Sequence, residues 1–165
     1  MVPVERYLKT IYHPDRDYVD GQVVERNWGE QSHGRLQLHI ARWLFDRERQ
    51  FRFRALIEVR LQVLPKRFRI PDIMLIPLDA SKERIVKTPP FLCIEVLSPE
   101  DTLARTHKRV KEYLDMGVPT CWIVDPESGE AWIATPGHLT KVTDGILRAG
   151  GIEMPLAEVL EIAGI

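Results

Sequence analysis

The sequence predicts an α/β fold, a mixed sheet with helices on its faces. Three observations carry that expectation. The runs Ile70–Pro77 (IPDIMLIP) and Pro90–Leu97 (PFLCIEVL) are almost continuously apolar, the pattern of strands covered on both sides. Between residues 90 and 125 a strand, a helix and a second strand follow one another, which demands a crossover and hence a parallel pair. Upstream, turn signals separate short alternating segments that read as antiparallel strands.

Taken in order, Val2–Leu8 reads as a short helical lead-in. Asp17–Arg26 (DYVDGQVVER) alternates around Asp20-Gly21, a strong two-residue hairpin signal. A helix is expected from Gln31 to Arg49, where Leu36, Ile40, Trp43 and Leu44 recur at helical spacing, with Ser32 or Asn27 as its cap and Glu30 at its mouth. Phe53–Leu64 and Phe68–Ile76 read as two strands joined by the tight turn Pro65-Lys66-Arg67, and a polar connection spans Asp79–Pro90. After the Pro90–Leu97 strand, Ser98-Pro99-Glu100-Asp101-Thr102 starts a helix, with Ser98 or Asp101 able to cap it. That helix runs to about Met116 and stops at Gly117, with Pro119 just beyond. Thr120–Asp125 (TCWIVD) is another buried-type strand, and Glu130–Thr135 pairs with it across a Pro-Glu-Ser-Gly turn. A weaker strand around Lys141–Leu147 and a short helix near Leu156–Leu160 close the chain, which holds no repeat.

A length of 165 residues suits one domain spanning residues 1–165, and 44% hydrophobic with 28% charged residues is the composition of an ordinary soluble protein. No apolar run approaches the ~18 residues of a membrane span. The opening MVPVERYLKT carries charges where a secretory signal has its apolar segment. Cys93 and Cys121 lie in strand-like runs outside any Cys-x-x-Cys spacing, so buried free thiols in a reducing cytoplasm are expected. The net charge of −1 opposes a protein that coats nucleic acid by bulk electrostatics. Locally, Arg35–Arg69 holds ten Lys or Arg against Asp46, Glu48 and Glu58. Such a stretch could follow a phosphate backbone, or be the solvated faces of a helix and a hairpin.

Several chemistries are excluded by pattern. The ten glycines are scattered, with no phosphate-cradling loop. The five histidines show no zinc spacing, and His33 and His39 stand six apart, so each histidine reads as a surface or capping residue. No Gly-x-Ser-x-Gly elbow supports serine hydrolysis. What stands out is one carboxylate in each apolar run, Asp72 and Glu95. A buried charge is costly unless it is paired or binds a metal. On neighbouring strands the two could share one divalent ion; alternatively each pairs privately with an arginine. Oxygen-ligated Mg²⁺ between carboxylates suits phosphodiester hydrolysis, because it polarises the phosphoryl group while a nearby cation offsets developing charge.

IPDIMLIP, PFLCIEVLSPED and KEYLDMGVPTCWIVDP, with VDGQVVERNWGEQSHGRLQ upstream, resemble the bacterial restriction-endonuclease family of Uma type, within the PD-(D/E)XK nuclease superfamily. The resemblance covers about Val4 to Leu160. It implies a restriction-endonuclease-like core, Asp72 and Glu95 as metal ligands, Mg²⁺ (or Mn²⁺) as cofactor, and DNA as substrate. One departure matters. The superfamily's basic form places a Lys two residues after the acidic residue, and here that residue is Leu97. The Uma-type pattern moves the Lys to the following helix, four residues before the tyrosine matched by Tyr113, and here that position is Arg109. On the helix, Arg109 and Lys111 fall on the two edges of the stripe Leu103, Val110, Tyr113 and Leu114, while Lys108 points away. Asp72, Glu95, Arg109 and Lys111 are therefore the expected site, with the Leu97 region lending backbone and Glu30 as an outer ligand. The alternative is a nuclease-fold module that binds nucleic acid or protein without cutting. The sequence leaves a homodimer open.

Overall fold

The computed structural model describes residues 1–27 and 30–164. In chain order, α1 (Val4–Lys9) leads to the hairpin β1 (Asp17–Val19) and β2 (Gln22–Val24), then to α2 (Gln31–Phe45) and the single turn α3 (Glu48–Phe51). Four strands follow, β3 (Phe53–Ile57), β4 (Leu61–Leu64), β5 (Arg67–Arg69) and β6 (Ile73–Pro77). Next come β7 (Leu92–Val96), α4 (Leu103–Met116), β8 (Cys121–Val124), β9 (Ala131–Thr135) and β10 (His138–Lys141). A ribbon of β11 (Ile146–Ala149) and β12 (Ile152–Pro155) leads into α5 (Leu156–Ala163).

The main sheet runs β10-β9-β8-β7-β6-β3, and a smaller one runs β2-β1-β5-β4. The pair β7–β8 is parallel, with α4 as its crossover, and the other pairs among named strands are antiparallel. The fold is thus the mixed α/β sheet expected. Alternation along the strands gives each face its own core. On one face α2 lays Leu36, Ile40 and Leu44 against Ile73, Leu75, Ile94, Val96 and Trp122. On the other, α4 packs Val110 and Tyr113 with Met74, Cys93, Cys121 and Ile123. The small sheet adds Leu61 and Val63 of β4 to this second core and has a further cluster of Tyr7, Tyr18 and Phe68.

Several expected boundaries move. Phe53–Leu64 is not one strand: Glu58 takes a left-handed backbone (φ 52°), which turns the chain out of the main sheet and into the small one. Phe68–Ile76 also divides, at Pro71, which has no N–H to continue a ladder. The first long helix stops at Phe45 rather than Arg49, and Arg52 (φ 58°) closes the short turn after it. Its N-cap is Glu30, without a side-chain bond, in place of Ser32 or Asn27. Thr102 caps α4 by accepting from the Arg105 amide, while Asp101 instead receives the Ser98 amide and hydroxyl. The weak strand expected at Lys141–Leu147 is instead the end of β10 and the start of β11, which belong to two hairpins, β9–β10 and β11–β12, with residues 142–145 between them.

Candidate active site

The register between β6 and β7 pairs Ile73 with Ile94, so one step further Asp72 stands across from Glu95. Both side chains fall on the α4 side of the sheet, in alternation with Met74 and Cys93, and each residue is only 3% exposed. They line one cavity of about 790 Å³, walled by the segment after β2, the start of α2, the end of β7 and one flank of α4.

Each carboxylate is held differently at its two oxygens. Asp72 Oδ2 accepts the Val96 amide at 2.8 Å and lies 3.3 Å from His33 Nε2, whereas Oδ1 faces Arg26 Nη2 at 3.2 Å. Glu95 Oε1 accepts the Tyr113 hydroxyl at 2.6 Å, and Oε2 lies 3.4 Å from Arg109 Nη2. Arg109 Nε stands 3.4 Å from Oε1, without hydrogen-bond geometry to it. These environments drive the two acids apart. Burial pushes Asp72 up, but the His33 bond and charge, Arg26 and the Val96 amide outweigh it and hold the group below the ordinary carboxylate value. Burial also pushes Glu95 up, to about 7; Arg109, Tyr113 and Arg26 pull it down, and the Asp72 charge adds to the rise. Burial opposes protonation of His33, yet its bond to Asp72 and the negative charges nearby raise its pKa above the usual histidine value. Arg26 is raised likewise, burial being overcome by Asp72 and Glu95.

The cavity lies along one flank of the α4 stripe Thr106, Val110 and Tyr113, where Arg105, Lys108, Arg109 and Glu112 line it. Arg109 thus reaches Glu95. Lys111 is exposed on the opposite flank and does not line the cavity, whereas Lys108, expected to point away, does. Helical periodicity shows two equivalent flanks, and only the sheet beneath chooses between them. Glu30 lines the cavity from the mouth of α2; Val96 does so, while Leu97 buries its side chain in the second core.

Two members of the site were not expected. The sequence alone makes His33 a surface or capping residue, whereas it is buried and contacts Asp72. A signal existed: His33 is three residues before Leu36, on the stripe that continues through Ile40 and Leu44. Arg26 carried none. Four cations of the basic stretch Arg35–Arg69 are engaged internally: Arg60 pairs with Asp15, Arg67 with Asp20 and Glu112, Arg69 with Asp17 and Glu112, and Arg54 donates to the Leu78 and Ala80 carbonyls, whereas Arg35, Arg42, Arg49, Arg52 and Lys66 are exposed. The cavity lining itself carries eight Asp or Glu against five Lys or Arg.

Among the described residues no set of three or more His, Cys, Asp and Glu is placed to hold a metal ion. Two carboxylates are nevertheless an adequate protein contribution for Mg²⁺, which keeps several waters and takes phosphate oxygens from its substrate. The all-oxygen donor pair, with its cation contacts at 3.2–3.4 Å rather than the usual charge-assisted 2.7–2.9 Å, fits such an ion.

The mixed sheet with α4 as the crossover of its parallel pair is a restriction-endonuclease-like fold, and Asp72 and Glu95 reach one cavity on it. The Uma2 family, described as "Putative restriction endonuclease", matches residues 5–156, and the chain belongs to that family, as the resemblance implied. The crystal structure of "a putative nuclease belonging to DUF820" from Anabaena variabilis superposes with a TM-score of 0.84 over 99% of each chain. Its sequence is 17% identical, so this likeness concerns the fold alone. No curated protein matches the sequence. No helix among the described residues is long and apolar enough to cross a membrane.

Proposed function

We propose that the chain is a divalent-cation-dependent endonuclease that hydrolyses phosphodiester bonds in DNA, with Mg²⁺ or Mn²⁺ held by Asp72 and Glu95. One observation carries the reading: the two buried carboxylates face a single cavity whose α4 wall presents Arg105, Lys108 and Arg109. When bound, the cation would polarise the phosphoryl group and lower the pKa of a water. The chain's own residues supply the rest. Arg109, reaching Glu95, would hold a non-bridging phosphate oxygen and offset charge that develops in the transition state. It cannot serve as the base, because a guanidinium does not give up its proton near neutral pH. Arg105 and Lys108, exposed on the same wall, would hold the neighbouring phosphates of the strand.

The test is nicking of supercoiled plasmid with Mg²⁺ or Mn²⁺. Wild type should cut slowly, Asp72→Ala should lose cutting by on the order of 10²-fold or more, and Arg109→Lys should raise single-turnover cleavage with DNA affinity about unchanged. Were Lys111→Ala to abolish cutting while Arg109→Lys changed nothing, the basic role would pass to Lys111. A second reading is favoured by Leu97 and Arg109 standing where lysines are expected: a nuclease-fold module that binds without cutting. Metal binding without cleavage by wild type and Arg109→Lys alike would establish that reading instead.

A further inference from the structure

The two oxygens of each site carboxylate are in unequal hands. Asp72 Oδ2 is fixed from the interior by the Val96 amide and His33 Nε2, and Glu95 Oε1 by the Tyr113 hydroxyl. Tyr113 is fully buried and His33 9% exposed, so these partners belong to the packed wall. Asp72 Oδ1 instead meets Arg26, and Glu95 Oε2 meets Arg109, each at the end of a long side chain that lines the cavity. A donor rooted in the core fixes a carboxylate's rotation; a flexible cation only neutralises it.

We propose that His33 and Tyr113 are positioning residues, each locking one oxygen of the carboxylate pair so that Asp72 Oδ1 and Glu95 Oε2 are the oxygens offered to a divalent cation. Arg26 stands in for that cation at Asp72 and competes with it. The assignment rests on the metal-dependent reading above, and it makes a demand that reading alone does not. Two neighbours of the same carboxylate must act on metal affinity with opposite signs. Removing His33 leaves Asp72 Oδ2 held by the Val96 amide alone and weakens binding; removing Arg26 takes away the cation that competes for Oδ1, with His33 still beside Oδ2, and strengthens it.

Calorimetric titration of the metal-free chain with Mn²⁺ tests this without reference to cleavage. His33→Ala and Tyr113→Phe should each weaken binding by about 10–100-fold, the range for residues that orient metal ligands. His33→Gln, which keeps an N–H donor at similar reach, should stay within about threefold of wild type. Arg26→Gln should tighten binding by roughly tenfold and unfold at a lower temperature when metal-free, with Mn²⁺ restoring the loss. A general disturbance of the site would weaken binding in every variant. If Arg26→Gln weakens binding as His33→Ala does, or if neither changes it while wild type binds, the assignment is overturned and the metal-dependent reading stands. If wild type takes up no Mn²⁺, both fall.

Discussion

Glu95 confronts the fold with a charge it has little means to solvate. Its pKa, pushed up to about 7 from an ordinary 4.5, lies above the value it has in the unfolded chain. Below pH 4.5 both states carry the proton and the group is neutral in the balance. Between 4.5 and about 7 the unfolded chain releases the proton while the folded one keeps it, so stability falls as pH rises through that window and levels off above it. The whole effect is on the order of 3 kcal/mol for this buried group. Asp72 acts in the other sense and elsewhere: held below 3.8, it contributes stability that is lost only as pH falls through its folded value. Urea midpoints measured from pH 4.5 to 8 in chelator should therefore decline, with His33, whose pKa is also raised, adding to the fall, and Glu95→Gln should make the profile shallower. At this scale the sequence was informative where a residue conflicts with its immediate surroundings. A carboxylate inside IPDIMLIP or PFLCIEVL is conspicuous. Arg26 conflicts with nothing nearby, and His33 shows only by its place on the apolar stripe of α2; their partner Asp72 lies 46 and 39 residues away.

Among the elements, α4 has the heaviest duty, because it supplies Tyr113 and Arg109 to Glu95 and three cations to the cavity. Its end was legible in Gly117 and Pro119, and the structure shows what the glycine is needed for. Gly117 has φ 113° and closes the helix with its amide on the Leu114 and Tyr113 carbonyls. A Cβ there would stand 3.3 Å from Pro89 Cγ as well as meeting an unfavourable backbone. Gly117→Ala should cost about 1–2 kcal/mol, read as a drop of roughly 2–8 °C in melting temperature. The matching break at Glu58 was hidden for the opposite reason. A glutamate rarely takes a left-handed backbone, and the alternating pattern runs on through it, so nothing local announces that the chain changes sheets.

For the molecule as a whole, charge distribution decides how DNA would be met. The acidic excess of the cavity, with Arg60, Arg67 and Arg69 tied up in internal pairs, would repel a polyanion there until a cation enters. Fluorescence anisotropy with labelled duplex should show little binding in chelator and clear binding in Ca²⁺, with affinity that falls as salt rises. Arg105→Ala and Lys108→Ala should each reduce the salt slope by about one. Unchanged binding in chelator would show that DNA docks on another surface. The class of fold was legible because it needs only the order of apolar runs and one crossover. The division into two sheets was not, because it depends on Glu58 and Pro71 redirecting the chain at points where the hydrophobic pattern continues.

That division sets an order of failure. The chain passes between the sheets at residues 58–60 and again at 70–72, and the two passages are tied by the Glu58 amide donating to the Asp72 carbonyl. Within the small sheet, β4 packs Leu61 and Val63 into the α4-side core, whereas β1 and β5 rest on the aromatic cluster of Tyr7, Tyr18 and Phe68, much smaller than the cores that clamp the main sheet. Regions with thin cores open first and by themselves. Asp72 sits where the opening unit meets the enduring one, so a partial melt would strand it while β7 and β8 remain paired. Under mild denaturant, amides of β1 and β5 should exchange for deuterium well before those of β6, β7 and β8. Mn²⁺ affinity should vanish with the first group, in a protein whose main sheet is still intact.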